Sequence, residues 1–224
     1  MSDAASVRDP EIAYDIDCLT LGPFQANCYV VRPGAGGAAV IIDPGAEPER
    51  ILAHLADKGD EIAAILLTHA HLDHVGAVAA VARSTGAPIY LHPDDRFLYD
   101  AVEETGRLYA VAVEAPPAPD VELAHGMTLE FGELRWQVRH APGHSPGGVV
   151  FVGEGIALTG DCVFAGSIGR TDLPGGDRQA LMEAIRREIL TLPPETVLLP
   201  GHMGATTVER EAATNPFLAP GGFA

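Results

Sequence analysis

The sequence predicts an α/β fold in which helices cover β-sheets, and three features carry that prediction. Short apolar runs of strand length recur along the 224 residues, helical periodicities fall between some of them, and the polar residues able to do chemistry come directly after strands. Taken in order, the runs at 29–31, 39–42 and 62–67 are expected to be strands, followed by 134–138, 148–152, 156–158 and 196–199. Helices are expected at 49–56 and 75–83, and a third at 178–190 places Leu181, Ile185 and Ile189 on one face behind Asp177 as its cap. The early strands should pair as meanders, and the later ones should be joined by helices. The stretch 92–126 reads differently, as a lid-like insertion, with Phe97, Tyr99, Leu108 and Tyr109 on short helices before Ala115-Pro116-Pro117-Ala118-Pro119. Its aromatics either line a substrate cleft or pack beneath a long loop. Residues 1–215 read as one domain without internal repeats, and 216–224 as a C-terminal tail.

Composition narrows the function. A 47% hydrophobic chain of this length buries an ample core. Its net charge of -17, from 14 basic and 31 acidic residues, argues against nucleic acid, whose binding needs Lys and Arg gathered on one face. No apolar run has the length of a membrane span, and residues 1–10 lack the basic and apolar regions of a signal peptide, so no membrane partner is expected and the cytoplasm is the expected compartment. Cys18, Cys28 and Cys162 are too few for a disulfide framework and should be reduced thiols. Cys162 follows Asp161 and reads either as a thiol near a metal or as a small buried side chain; no role is assigned to it.

The densest chemical signal is Thr68-His69-Ala70-His71-Leu72-Asp73-His74. Three imidazoles and a carboxylate this close need a cation, and nitrogen and oxygen donors without thiolate suit zinc, iron or manganese. The pattern H-x-H-x-D-H offers too many donors for one tetrahedral ion, so two adjacent metals are expected. The same strand-then-ligand arrangement recurs at His144, Asp161 and His202, with Gly143, Gly160 and Gly201 beside them to turn the chain sharply.

These residues resemble the metallo-β-lactamase superfamily over nearly the whole chain. More narrowly, Gly22-Pro23-Phe24-Gln25-Ala26-Asn27-Cys28-Tyr29, Asp43-Pro44-Gly45, Pro142-Gly143-His144-Ser145-Pro146-Gly147-Gly148, Gly169-Arg170-Thr171-Asp172 and Asn215-Pro216-Phe217-Leu218 resemble the single-domain glyoxalase II-like hydrolases, which cleave hydroxyacylglutathiones. The resemblance implies an αββα sandwich of two mixed sheets flanked by helices. It implies two divalent ions, zinc ahead of iron or manganese. His69, His71 and His144 would hold the first, Asp73, His74 and His202 the second, and Asp161 would bridge both.

Water on such ions ionises near a pKa of about 7, and a bridging hydroxide, hydrogen-bonded to Asp73 in a catalytic role, would attack the carbonyl of a small-molecule thioester such as D-lactoylglutathione. Asp43 would either orient a ligand or shape its Asp-Pro-Gly turn, and Arg170 would either bind a substrate carboxylate or pair with Asp172, which stands where the family has a tyrosine. Full-length glyoxalase II enzymes hold glutathione partly through a C-terminal helical domain not expected in 224 residues, which leaves the thiol carrier open. The alternative within the superfamily is a persulfide dioxygenase with one iron on the equivalents of His69, His144 and Asp161. Lactone or β-lactam hydrolysis stands behind both. No oligomeric state is implied.

Overall fold

The computed structural model describes residues 5–7, 14–34 and 36–218; positions 219–224 of the expected tail lie outside the described residues. Seven strands form the first sheet in plain sequence order: β1 (Ala5–Val7), β2 (Tyr14–Leu21), β3 (Ala26–Pro33), β4 (Ala39–Ile42), β5 (Ile62–Leu66), β6 (Ile89–Leu91) and β7 (Val121–Glu122). The first four pair antiparallel as a meander. Pairing turns parallel from β4 to β7, because parallel neighbours need a crossover: α1 (Pro48–Lys58) joins β4 to β5, and α2 (Leu72–Val75) with α3 (Val78–Thr85) joins β5 to β6.

Short helices α4 (Arg96–Asp100) and α5 (Val102–Leu108) precede the second sheet. That sheet takes β8 (Thr128–Phe131), β9 (Leu134–His140), β10 (Val149–Val152) and β11 (Ile156–Gly160). A separate hairpin follows, β12 (Val163–Phe164) with β13 (Ser167–Ile168), then α6 (Arg178–Ala184), β14 (Val197–Pro200), β15 (Thr206–Thr207) and α7 (Val208–Thr214). The spatial order is β15-β14-β11-β10-β9-β8, with only β11 and β14 parallel.

Strand alternation sorts the side chains into three apolar layers. Val40 and Ile42 of β4 meet Phe151 of β10, Ile156 and Leu158 of β11, and Trp136 between the two sheets. Ala39 and Ile41 face the other way, onto Ile51 and Leu55 of α1 and Val78 and Val81 of α3. Val150 and Ala157 likewise face Leu181, Ala184, Ile185 and Ile189 outside the second sheet. The result is the expected helix, sheet, sheet, helix sandwich. Phe151 is fully buried at its centre, so Phe151→Ala is expected to destabilise the protein by about 3–5 kcal/mol, read as a lower denaturant midpoint at unchanged m-value.

All seven expected strands are present. The helix expected at 75–83 is instead two helices parted at Gly76 and Ala77, because the Asp43-Pro44-Gly45 turn packs into the break and Ala77 N donates to Pro44 O at 3.0 Å. The expected Asp177 cap is there, accepting from Ala180 N at 3.0 Å, but its helix changes after Ala184 into a π turn over Ile185–Ile189. In the 92–126 segment the aromatics divide between packing and a cavity. Tyr99 is buried and donates to Pro117 O at 3.0 Å, fastening the proline stretch, whereas Tyr109 is exposed at a cleft. No helix among the described residues is long and apolar enough to cross a membrane.

Candidate metal centre

The predicted ligands stand in loops that follow strands, or in the helical turn after β5, on one side of the sandwich. The loop after β5 carries His69 and His71; His71 precedes the first turn of α2, which carries Asp73 and His74. Val149 N donates to Thr68 O at 2.8 Å, which ties the start of β10 to that loop and brings the His144 turn alongside. The parallel register of Leu158 with Leu199 and Gly160 with Pro200 sets Asp161 beside His202.

Two ligand groups result: His69, His71 and His144, and Asp73, His74 and His202, each with donor atoms within 4.8 Å of one another. Asp161 joins them. Its Oδ2 is 3.5 Å from both His144 Nε2 and His202 Nε2, and its Oδ1 is 3.5 Å from His74 Nε2.

The rings are aimed by their other nitrogens. His74 Nδ1 meets Asp43 Oδ2 at 3.0 Å, His69 Nδ1 meets Thr68 Oγ1 at 3.0 Å, His144 Nδ1 meets Arg170 O at 2.7 Å, and His202 Nδ1 meets Gln25 O at 3.3 Å. Each contact turns Nε2 toward the cluster. His71 is the exception, with Nδ1 2.8 Å from His144 Nε2. Asp43 therefore fills both expected roles: it takes a positive φ of 52° in its turn, and its carboxylate accepts from Thr68 N and Oγ1 while holding His74.

Close approach explains two glycines better than turning does. A Cβ on Gly201 would stand 2.2 Å from Asp161 Oδ1, and one on Gly45 would stand 1.6 Å from Asp73 O.

Asp95 escaped the sequence reading. Fully buried in the insertion, it accepts from Ala70 N (2.9 Å), Ser145 Oγ (2.8 Å) and Gly147 N (2.5 Å), so it ties the two loops that carry His69, His71 and His144. Burial pushes its carboxyl above the usual range, and these hydrogen bonds only partly offset that. The only local signal at Asp95 is the turn-forming run His92-Pro93-Asp94-Asp95. Nearby His92 and His140 stack face to face at 4.1 Å and 9°, and with Asp94 they form another His/Asp cluster. Parallel rings keep their in-plane lone pairs from converging on one ion.

The cluster fits a divalent metal pair by its own electrostatics. His69 Nε2, His74 Nε2 and Asp161 Oδ1 are buried and have no hydrogen-bond partner, a costly state for polar atoms unless something binds there. Burial, then the neighbouring imidazoles His144 and His74, pushes His71 down to about 3 and keeps it a neutral donor at physiological pH. His74 goes the other way: burial opposes its charge, yet Asp161, Asp73 and Asp43 pull it up to about 10. Those carboxylates call for positive charge at this spot, and a cation supplies it. Asp73 is held below the usual carboxylate range, because His74 and His202 outweigh its burial. Cys162 proves to be the small buried side chain: it packs in the outer core, and burial, then Asp161, pushes its thiol up to about 12.

The cluster opens into a cavity of about 410 Å³ lined by His71, Asp73, His144, Asp161 and His202 on one side and by Phe24, Leu98, Val102, Leu108 and Tyr109 on the other. Arg170 also lines it, with its Nε and one Nη donating to Asp172 at 2.7 and 2.8 Å.

Comparison with known proteins agrees with this geometry. A family model described as the metallo-beta-lactamase superfamily matches residues 21–202. The crystal structure of TTHA1623 in a di-iron-bound form is 48% identical with a TM-score of 0.83, over 90% of this chain and 99% of that one. That of the BLEG-1 B3 metallo-beta-lactamase is 39% identical with a TM-score of 0.86, over 92% and 100%. Hydroxyacylglutathione hydrolase GloC of Haemophilus influenzae is 34% identical over 91% of this chain and 98% of its own. With the family's domain matched over residues 21–202 and candidate metal-binding groups gathered at one sandwich edge, the chain belongs to the metallo-beta-lactamase superfamily and is a metallohydrolase of that family.

Proposed function

We propose that this protein is a two-metal hydrolase that cleaves a thioester such as D-lactoylglutathione. The observation that carries the reading is the pair of ligand triplets joined by Asp161 on the floor of an open cavity. His69, His71 and His144 would hold one ion and Asp73, His74 and His202 the other, with zinc, iron or manganese suited to these donors. Bound there, such ions lower the pKa of water and polarise a carbonyl oxygen.

The protein's own residues do the rest. Asp43, Thr68, Arg170 O and Gln25 O hold the imidazoles in the tautomer that presents Nε2. Asp73, partly exposed to the cavity and kept ionised by His74 and His202, is placed to accept a hydrogen bond from the attacking water. The leaving thiolate needs no strong acid, since thiols ionise near a pKa of about 8.5. Similarity to GloC supports the choice of a thioester.

The test is to load the purified protein with zinc, iron or manganese in turn, count the metal bound, and assay D-lactoylglutathione. Two ions per chain with release of free thiol is the expected result. One iron per chain with sulfite formed from glutathione persulfide and oxygen would instead identify a dioxygenase.

A further inference from the structure

The cavity beside the ligand cluster has an apolar wall that the reaction itself does not require. Five large hydrophobic side chains are exposed among the described residues, and Phe24, Leu108 and Tyr109 line this cavity. Met203 shares an adjoining hollow with Phe24, Asp161 and His202. Scattered exposed apolar residues are ordinary, but a group of them around one opening marks a binding surface. Leu108 is 80% exposed at the end of α5, a placement that packing does not explain. Phe24, in the turn between β2 and β3, meets Tyr109 edge-on across the opening, with ring centroids 5.8 Å apart at 86°. Two segments distant in sequence thus build one apolar rim, with Leu98 and Val102 beneath it.

Charge points the same way. Arg170 is the only Arg or Lys among the residues lining either hollow, and its guanidinium is engaged by Asp172 through two hydrogen bonds. An arm carrying carboxylates would meet a neutralised ion pair there.

We propose that the substrate's non-reacting arm is uncharged and apolar, a medium-chain aliphatic or aryl group on one side of the thioester carbonyl, laid against Phe24, Leu108 and Tyr109. The proposal rests on the thioesterase reading above but not on D-lactoylglutathione as its best substrate: it sets neutral apolar thioesters ahead of that charged one. In the reaction, water adds its oxygen to the carbonyl carbon, the C–S bond breaks, and the products are a carboxylic acid and a thiol. An apolar arm on the acyl side or on the thiol side presents the same chemistry to the rim, and the experiment separates the two.

The metal-loaded protein is assayed with N-acetylcysteamine thioesters from acetyl to hexanoyl and phenylacetyl, with acetyl thioesters of increasingly apolar neutral thiols, and with D-lactoylglutathione. Burying a methylene is worth up to about fourfold, so kcat/KM is expected to rise at least about tenfold along one series, which identifies the side that carries the arm. Phe24→Ala and Tyr109→Ala should each flatten that rise. Asp172→Ala, which frees Arg170, should raise kcat/KM for D-lactoylglutathione about threefold without raising it for the hexanoyl ester.

Calorimetry with matching thioethers, which cannot be hydrolysed, reads binding without turnover. Affinity should climb with arm length, with a negative heat-capacity change. Flat rates and flat thioether affinities, or a wild-type preference for D-lactoylglutathione over every apolar ester, would overturn the proposal. Thioether affinity that climbs while no thioester is cleaved would uphold the apolar arm and reject the thioesterase reading.

Discussion

Asp161→Ala is expected to remove activity, by more than the roughly 10- to 100-fold typical of losing a group that merely orients a ligand. Asp161 stands between the two candidate triplets, 3.5 Å from His144 Nε2 of one and from His74 Nε2 and His202 Nε2 of the other, so in the two-metal reading its loss would remove a donor from both ions together. Metal content measured by elemental analysis should fall well below that of the unaltered protein, and the gain in Tm on adding metal should shrink with it, since that gain follows from metal binding to the native state. The side chain sits at a loop between elements and contributes no apolar packing, so far-UV circular dichroism should not change. Unaltered turnover in this variant would end the bridging assignment. His71→Ala should act in the same direction through one triplet only, which predicts a lower metal content with the second site less affected.

Asp95→Ala should be the next most damaging change, although the residue touches no ligand. Three donors, Ala70 N, Ser145 Oγ and Gly147 N, would lose their acceptor in a fully buried place. At about 1–3 kcal/mol for each unsatisfied group, partly relieved by rotation of the Ser145 hydroxyl, a loss of about 3–5 kcal/mol in stability follows. The loops that carry His69, His71 and His144 would also lose their tie, so metal affinity at that triplet should drop about 10- to 100-fold, as read by competition with a chelator under conditions where the variant remains folded. Ser145→Ala removes a single donor and should show a much smaller change in both. Equal metal affinity in Asp95→Ala and the unaltered protein would confine Asp95 to stability.

Much of this molecule was legible before its coordinates. The strands at 39–42 and 156–158 announce themselves because both faces of each are buried, so the apolar run is continuous; Val40 and Ala157 are as buried as their neighbours. β2 was not legible, because its run Tyr14-Asp15-Ile16-Asp17-Cys18 carries charges. Asp17 is nevertheless buried, bound by Arg32 at 2.8 Å and His54 at 2.9 Å, and these contacts outweigh burial and hold its carboxyl below the usual range. A charge satisfied by partners 15 and 37 residues away leaves no local trace. The break in the helix expected at 75–83 has the same origin, since its cause is a turn some thirty residues earlier.

The sequence by itself determined the layered α/β class and marked seven candidate metal-ligating residues, because apolar periodicity, strand-end placement and short motifs are properties of neighbours along the chain. Only the tertiary structure decided that these residues converge on one edge of the sandwich, that Asp43 and Asp95 hold the loops carrying them in place, which of its two readings Arg170 takes by pairing with Asp172, and that Phe24 and Tyr109 face one another over the opening. Each of these is a meeting of distant segments, set by strand register and layer packing, and directional contacts of that kind leave no period or motif in the chain that makes them.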